Sequence, residues 1–251
     1  MKILVLNGAP RKRNTAAAIR EFTAYLETKG DIACETINLA ECHIEPCRGC
    51  VACFDKGEEH CPSADEVKDI ISKIDDADGV VFASPVYAFH LTGQMKNFFD
   101  RLSFIFHRPR FFGKISTSIV TQGIYGGRTV TAYLSFVGRA LGFTAVTGRI
   151  LQTLEPCPPA RKTKNSRLLR KLADSYHRRL KKNRFPAPSL FALVMFRIGR
   201  TKIGRELDHN YRDYTYYKDK GWFESGFYYP VRLGLLKKIA GNLTDFVTGL
   251  L

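Results

Sequence analysis

Residues 2–30 read "KILVLNGAPRKRNTAAAIREFTAYLETKG", and this stretch decides the fold. Ile3, Leu4, Val5 and Leu6 form a short unbroken apolar run, as a strand buried on both faces does in a parallel sheet. Gly8 ends that run. From Asn14 onward the period changes. Ile19, Phe22 and Leu26 recur at helical spacing, Asn14 or Thr15 is placed to cap, and Gly30 stops the helix.

The same unit recurs downstream. Residues 32–39 ("IACETINL"), 79–87 ("GVVFASPVY"), 114–123 ("KISTSIVTQG") and 143–152 ("FTAVTGRILQ") read as further strands. Between them lie helical patterns: residues 63–78, opened by a capping box of Ser63 and Glu66, residues 91–106 and residues 127–142. Strand and helix alternate five times, which predicts an α/β fold with a parallel sheet covered on both faces. Right-handed crossovers leave a doubly wound five-stranded sheet of order 2-1-3-4-5 as the leading topology. In such a sheet ligands sit at the carboxyl ends of the strands, at the switch point between strands 1 and 3. The expected domains are residues 1–155, carrying the sheet, and residues 156–251, a basic, aromatic-rich and mainly helical extension.

Composition sets the wider limits. A chain of 251 residues with 45% hydrophobic and 12% aromatic content has ample core and is not globally disordered. The opening "MKILVLNGAP" is too short and strand-like for a signal peptide, and no apolar run approaches the roughly 20 residues that span a bilayer. A cytoplasmic location is expected, and its reducing conditions argue against structural disulfides among seven cysteines, an odd number. Lys and Arg outnumber Asp and Glu by 39 to 24, giving +15. The excess is concentrated in residues 160–184, "ARKTKNSRLLRKLADSYHRRLKKNR", where Asp174 is the single acid. Leu168, Leu169, Leu172, Tyr176 and Leu180 keep helical spacing there, so the charge is expected on a solvated helix face. Nucleic acid, anionic lipid and acidic protein are the alternative destinations. No nucleic-acid signature exists beyond charge, and no nucleic-acid partner is expected.

Three strand-end loops carry the candidate site. Residues 7–15, "NGAPRKRNT", join a strand to a helix start, where unpaired backbone N–H groups converge with Arg11, Asn14 and Thr15. This set suits a phosphate monoester and is neither a Walker loop nor a GxGxxG fingerprint. Residues 84–93, "SPVYAFHLTG", bring Pro85 and the flat faces of Tyr87 and Phe89. Residues 121–127, "TQGIYGG", bring Gly123, Gly126 and Gly127, which let backbone approach a planar ligand, and Tyr125, which can cover it.

These loops, with residues 84–101 as the most specific part, resemble the flavin-contacting loops of the flavodoxin-like NAD(P)H-dependent FMN reductase family over about residues 1–155. The resemblance implies an FMN site in which Arg11, Asn14 and Thr15 hold the phosphate. Pro85, Val86 and Tyr87 would line the isoalloxazine, with Gly123, Gly126 and Gly127 on its other side. Two departures stand out: the family usually has Ser where Ala9 stands, and one more small residue before Asn14. The implied activity is an oxidoreductase taking electrons from NAD(P)H and passing them through FMN to a quinone, flavin or protein acceptor. No side chain is an obvious acid or base, and His90 is expected to be a surface residue. A flavodoxin-type electron carrier without its own substrate turnover is the alternative; a basic, flavin-free interaction protein is a third reading.

Residues 46–62, "PCRGCVACFDKGEEHCP", hold four cysteines spaced C-x2-C-x2-C-x7-C. Closely spaced thiolates with a distant fourth suit a cubane cluster. Zinc, redox disulfides and metal-free thiols remain as alternatives. The pattern resembles the loop of the iron–sulfur flavoproteins, and by that resemblance Cys47, Cys50, Cys53 and Cys61 would bind a [4Fe–4S] cluster fed singly by the flavin. Cys34 falls within a strand and is expected in the core. In the extension, residues 188–204 read as an amphipathic helix with Phe191, Val194, Met195 and Ile198 on one side, and residues 233–251 as another. Packing over the flavin face or a homodimer interface is the expected role, since relatives usually assemble as dimers or tetramers. Peripheral contact with an anionic membrane, flanked by Lys237, Lys238, Arg197 and Arg200, is the lesser expectation.

Overall fold

A computed structural model describes residues 1–182 and 185–250. In chain order its elements are β1 (Lys2–Asn7), α1 (Asn14–Glu27), β2 (Ala33–Asn38), α2 (Ala52–Asp55), a short 3₁₀ turn (Glu58–His60), α3 (Val67–Asp76), β3 (Gly79–Pro85), α4 (Gly93–Arg101), α5 (Ser103–His107) and β4 (Ile115–Gln122). There follow α6 (Gly127–Ala140), β5 (Thr144–Ala145), β6 (Arg149–Gln152), α7 (Pro159–Lys182), α8 (Leu190–Glu206), α9 (Arg212–Asp219) and α10 (Leu235–Leu250). The chain forms two compact units. One comprises Met1–Cys47, Asp65–Leu102 and Phe111–Asn183; the other comprises Arg48–Ala64, Ser103–Arg110 and Arg184–Leu251. Chain order and compactness thus divide the molecule differently, because the cysteine segment and α5 belong with the C-terminal helices.

The first unit is the doubly wound sheet that the alternation predicts. Its strand order is β2-β1-β3-β4-β5, with β6 also paired to β4, and all the pairings are parallel. Strands β1, β3 and β4 lie inside and are buried almost throughout. Val5, Val81, Ile119 and Leu151 of the sheet meet Phe22 and Leu26 of α1 and Leu169, Leu172 and Tyr176 of α7 in one core. Helix α7 therefore buries the leucine stripe read from the sequence, and Arg167, Arg170, Lys171 and Arg178 stay on its exposed side. The Tyr176 hydroxyl donates to the Ile115 carbonyl at 3.1 Å, and burial pushes its pKa well above the ordinary tyrosine value.

Four local expectations are corrected. The fifth strand is two short pieces, because Thr117 Oγ1 takes the Val146 carbonyl at 3.0 Å and interrupts the ladder. The helix expected over residues 91–106 is α4 and α5, separated where the Leu102 N–H closes on the Phe99 carbonyl at 3.0 Å. The capping box of Ser63 and Glu66 does not form: Ser63 is buried ahead of α3, and the Glu66 carboxylate accepts from the His43 N–H. Asn14 and Thr15 do not cap α1 either, since both side chains bond elsewhere.

The second unit is organised by buried aromatics and one charged knot. Tyr217, Trp222, Phe227 and Phe196 are buried together, with Trp222 Nε1 donating to the Tyr228 carbonyl at 3.0 Å. The buried Arg108 guanidinium pairs with Asp213, with Glu58 at 3.0 Å, and with the Cys53 carbonyl at 2.8 Å. Asp213 also meets His107 Nδ1 at 2.8 Å. This knot ties the cysteine segment to α5 and α9. Helix α8 is turned differently from the expectation: Leu193, Phe196 and Arg197 are buried, while Phe191 and Met195 are exposed. The cause is polar, since Arg197 and Arg200 both reach Asp245 of α10. Among the described residues no helix is long and apolar enough to cross a membrane.

Replacing Tyr176 by Phe deletes one buried hydrogen bond and keeps the ring packing. The expected loss is about 1 kcal/mol in urea unfolding. An unchanged midpoint would show that the hydroxyl adds nothing to the docking of α7.

Candidate functional site

At the carboxyl end of the sheet the loops after β1, β3 and β4 surround an open cleft of about 460 Å³. Its wall includes Arg11, Asn14 and Thr15 from the first loop and the start of α1, Pro85, Val86 and Tyr87 from the second, and Gly123 from the third. The topology causes this convergence, because parallel strands send their helix-bound loops out of one edge. Hydrogen bonds then fix the loops to each other. Thr92 Oγ1 donates to the Gly8 carbonyl at 2.7 Å, the Gly8 N–H donates to the Ala83 carbonyl at 2.8 Å, and the Val86 N–H donates to the Thr121 carbonyl at 2.8 Å.

The N-terminus of α1 has no side-chain cap. Asn14 Nδ2 donates to the Thr153 carbonyl at 3.1 Å, and the buried Thr15 and Thr121 hydroxyls meet at 2.7 Å. The first-turn N–H groups therefore face the cleft without a side-chain acceptor, beside Arg11 and Arg13. Arg11 Nη2 reaches the Tyr87 hydroxyl at 3.4 Å. One end of the cleft is thus cationic and rich in donors; the rest is lined by Pro85, Val86, Tyr87 and glycine backbone.

Gly126 and Gly127 are buried and stand outside the cleft wall. Gly126 has φ of +100°, and a Cβ there would meet Val86 Cγ1 at 2.7 Å, so only glycine lets the third loop close on the second. The Gly127 N–H donates to Gln122 Oε1 at 2.7 Å, which anchors the start of α6. The second loop turns tightly, with Tyr87 and His90 exchanging backbone bonds at 2.8 and 2.9 Å. Its tip residues, Ala88 and Phe89, have φ of 46° and 64°, a left-handed geometry rare for such side chains. Phe89 and Tyr125 form an edge-on pair at 6.2 Å, and both are exposed. His90 lies half-buried against the Tyr133 ring at 4.9 Å, outside the cleft wall.

Sequence reasoning missed Arg13, Thr121, Gln122, Thr153 and Glu155, which complete the wall. Arg13 stood in the quoted loop and was legible as a second cation. Thr153 and Glu155 join the site through the 139-residue link from Asn14 to Thr153, which no local pattern announces. Glu155 accepts from the Cys157 N–H at 3.1 Å.

The four loop cysteines do not form a gathered donor set. All seven cysteines stand as thiols, and among the described residues no group of three or more His, Cys, Asp or Glu is positioned to hold a metal ion. Val51, at φ of 56°, turns the chain into α2, where Cys53 sits, and Cys61 follows the 3₁₀ turn. As folded, these residues do not fit a cubane cluster. The stems of the segment are held firmly. Asn97 Nδ2 donates to the Ile44 carbonyl at 2.8 Å, and Arg101 pairs with the buried Asp65 and bonds the Glu45 carbonyl at 3.0 Å. Cys34 differs from the loop thiols: burial, then Glu27, pushes its pKa up to about 12.

Burial alone would raise the Asp65 pKa, but Arg101 and the N–H groups of Glu45 and Val67 outweigh it and hold the carboxyl below its ordinary value. A depressed carboxyl contributes stability that is present above its unfolded pKa of about 4 and lost as pH falls through the lower folded value. Asp65→Asn should cost about 3 kcal/mol near neutrality by removing the buried charge that pairs with Arg101. The difference from wild type should shrink in acid, and a pH-independent difference would contradict the assignment. Iodoacetamide mapping should label the exposed Cys47 and Cys50 at neutral pH well before Cys34. Equal rates would contradict the burial of Cys34.

Comparison with known proteins agrees with this geometry. The family described as NADPH-dependent FMN reductase matches residues 1–152. An iron-sulfur flavoprotein of Archaeoglobus fulgidus is 33% identical over 143 residues, covering 57% of this chain and 69% of that protein. A second iron-sulfur flavoprotein of that organism is 33% identical over 165 residues, 60% of this chain and 72% of its own length. Among solved structures, RosB with bound 8-demethyl-8-formylriboflavin-5'-phosphate has a TM-score of 0.59 at 16% identity, covering 94% of this chain and 92% of that one. The NAD(P)H:quinone oxidoreductase from Methanothermobacter marburgensis has a TM-score of 0.54 at 16% identity, covering 69% and 94%. At such identities the solved structures speak for the fold. The family match, which spans more than half of the sequence and includes all three loops of the cleft, goes further: this chain belongs to the NADPH-dependent FMN reductase family and is an oxidoreductase.

Proposed function

We propose that the cleft holds FMN and that the protein takes electrons from NAD(P)H and delivers them to a quinone, a flavin or a protein acceptor. One observation carries the reading: a single cleft joins an uncapped helix N-terminus, flanked by Arg11 and Arg13, to a wall of Pro85, Val86, Tyr87 and Gly123. The donor set fits a phosphorylated cofactor, because a phosphate dianion takes the first-turn N–H groups, which have no side-chain cap, together with the guanidinium donors beside them. A volume of about 460 Å³ is in the usual range for cofactor sites. When bound, FMN supplies the hydride and electron chemistry.

The chain's own residues bind, orient and shield. Arg11, with the first turn of α1, would hold the phosphate, and Thr15 is fixed by its bond to Thr121. Tyr87 is steadied by Arg11 at one end and by the tight turn at the other. Phe89 and Tyr125 put apolar surface at the loop tips, where it excludes water from a planar ligand. No residue here is cast as acid or base: Glu155 is the one carboxylate among the residues of the cleft wall, and it is engaged with the Cys157 N–H. The cysteine loop enters only as thiols, and no step passes through a cluster. Because two relatives are iron-sulfur flavoproteins, iron and sulfide analysis of anaerobically purified protein tests whether this loop takes up a cluster. A cytoplasmic location belongs to the same reading, carried by the odd number of cysteines in the sequence.

Titrating apoprotein with FMN and with riboflavin tests the site. Arg11→Ala should weaken FMN binding by about tenfold or more and riboflavin binding much less, since the arginine acts chiefly on the phosphate and touches the ring site only through Tyr87. Wild-type protein with FMN should oxidise NADPH in the presence of a quinone. Protein that takes up no FMN, or a flavin that stays oxidised under saturating nicotinamide, would overturn the reading. Exchange with a protein partner but no quinone turnover would favour an electron carrier.

A further inference from the structure

Helix α10 is built inside out. Its buried positions are Gly241 and Thr248. Its acid, Asp245, accepts from Arg197 and from Arg200 of α8, and Arg205 bonds the carbonyls of Thr248 and Gly249. Gly241 makes room for this polar seam, since a Cβ there would stand 3.3 Å from the Arg197 guanidinium carbon. The apolar residues point the other way. Leu236, Ile239, Leu243, Phe246 and Leu250 are 82%, 55%, 60%, 66% and 71% exposed, and Leu235 and Val247 beside them are exposed too.

An amphipathic helix ordinarily buries its apolar stripe. Here the stripe has a stricter order. Leu236, Ile239, Leu243, Phe246 and Leu250 follow one another at steps of three, four, three and four, the spacing by which one helix meets another along a seam. Gly241 and Thr248 fall opposite that seam, so burial and spacing describe the same orientation.

We propose that this face is a two-fold interface between two copies of this chain, with α10 packed along α10 of its mate. Three observations favour a second copy. The seven exposed apolar residues of α10 present roughly 800 Å², more than an ordinary surface patch and about what each partner gives to a stable interface. The residues beside the seam, Leu235, Ala240, Asn242, Val247 and Gly249, carry no charge, so identical helices meet without repulsion. Finally, three of the four flanking cations that an anionic lipid surface would need are turned inward, Arg197 and Arg200 to Asp245 and Lys237 to the Pro188 carbonyl at 2.7 Å, which leaves Lys238 exposed. A self-complementary stripe closes on its own copy about a two-fold axis. The inference does not depend on the flavin reading.

Sedimentation equilibrium of the full chain at micromolar concentrations tests it, with Leu243→Asp and Phe246→Asp as separate variants. Wild type should approach twice 28.4 kDa. Each variant should sediment as a monomer, with self-association at least about tenfold weaker. Both sites are exposed, so far-UV circular dichroism should match wild type; if either variant misfolds, Leu236→Asp carries the same test. A wild type that stays monomeric overturns the proposal, as does a dimer that these variants leave intact. Binding of monomeric wild type to phosphatidylcholine–phosphatidylglycerol vesicles, lost in Leu243→Asp, would overturn it in favour of lipid.

Discussion

A parallel strand cannot return by a tight hairpin. Each return needs a crossover, so every loop from strand to helix leaves the sheet on the same edge. The cleft follows from that constraint. Residues 8–13, 86–92 and 123–126 are distant in sequence, yet β1, β3 and β4 lie side by side and deliver them together. The Thr15–Thr121 hydroxyl contact and the Thr92–Gly8 bond then join loops that the sheet has already made neighbours. Helix α1 begins where those loops meet, and its first N–H groups have no side-chain cap because the side chains of Asn14 and Thr15 are used elsewhere.

The sheet was legible because its signals are local. The apolar runs at 3–6 and 80–83 and the helical stripe Ile19, Phe22, Leu26 each identify their element without distant information. The strand order followed from handedness. Cap positions were less legible, since Glu66, Asn14 and Thr15 have the right chemistry for capping but find partners across the fold, and Ser63 is buried ahead of α3. Most of the cleft wall was visible in three loops. Glu155 and Thr153 were not, because they reach the cleft from the far end of β6. Gly126 and Gly127 were legible as glycines required by geometry, but Gly126 lets one loop close on another and Gly127 lets the start of α6 sit against Gln122 and Ile150.

The second unit was harder for a physical reason. Its organising contact, Arg108 with Asp213, spans 105 residues and joins three separate stretches of chain. Nothing in "PCRGCVACFDKGEEHCP" announces that the Cys53 carbonyl will bond a buried arginine. The regular cysteine spacing invites a reading by motif, and the fold ties the segment into the second unit through the Cys53 carbonyl and Glu58. The orientation of α8 was missed in a similar way. Hydrophobicity alone favours burying Phe191 and Met195, but Asp245 draws Arg197 and Arg200 inward and rotates the helix.

The turn at Ala88 and Phe89 has a consequence for how the cleft meets a visitor. A bulky residue stays in the left-handed region only where its surroundings hold it there, and the paired backbone bonds of Tyr87 and His90 hold the Phe89 backbone on one course although 70% of the residue is in water. The entropy of fixing that backbone is lost during folding and is not lost again at each encounter. Glycine at either tip residue would relieve the torsional cost but let the rim wander. The loop gives up a little equilibrium stability and gains a rim that is already shaped when a partner molecule arrives.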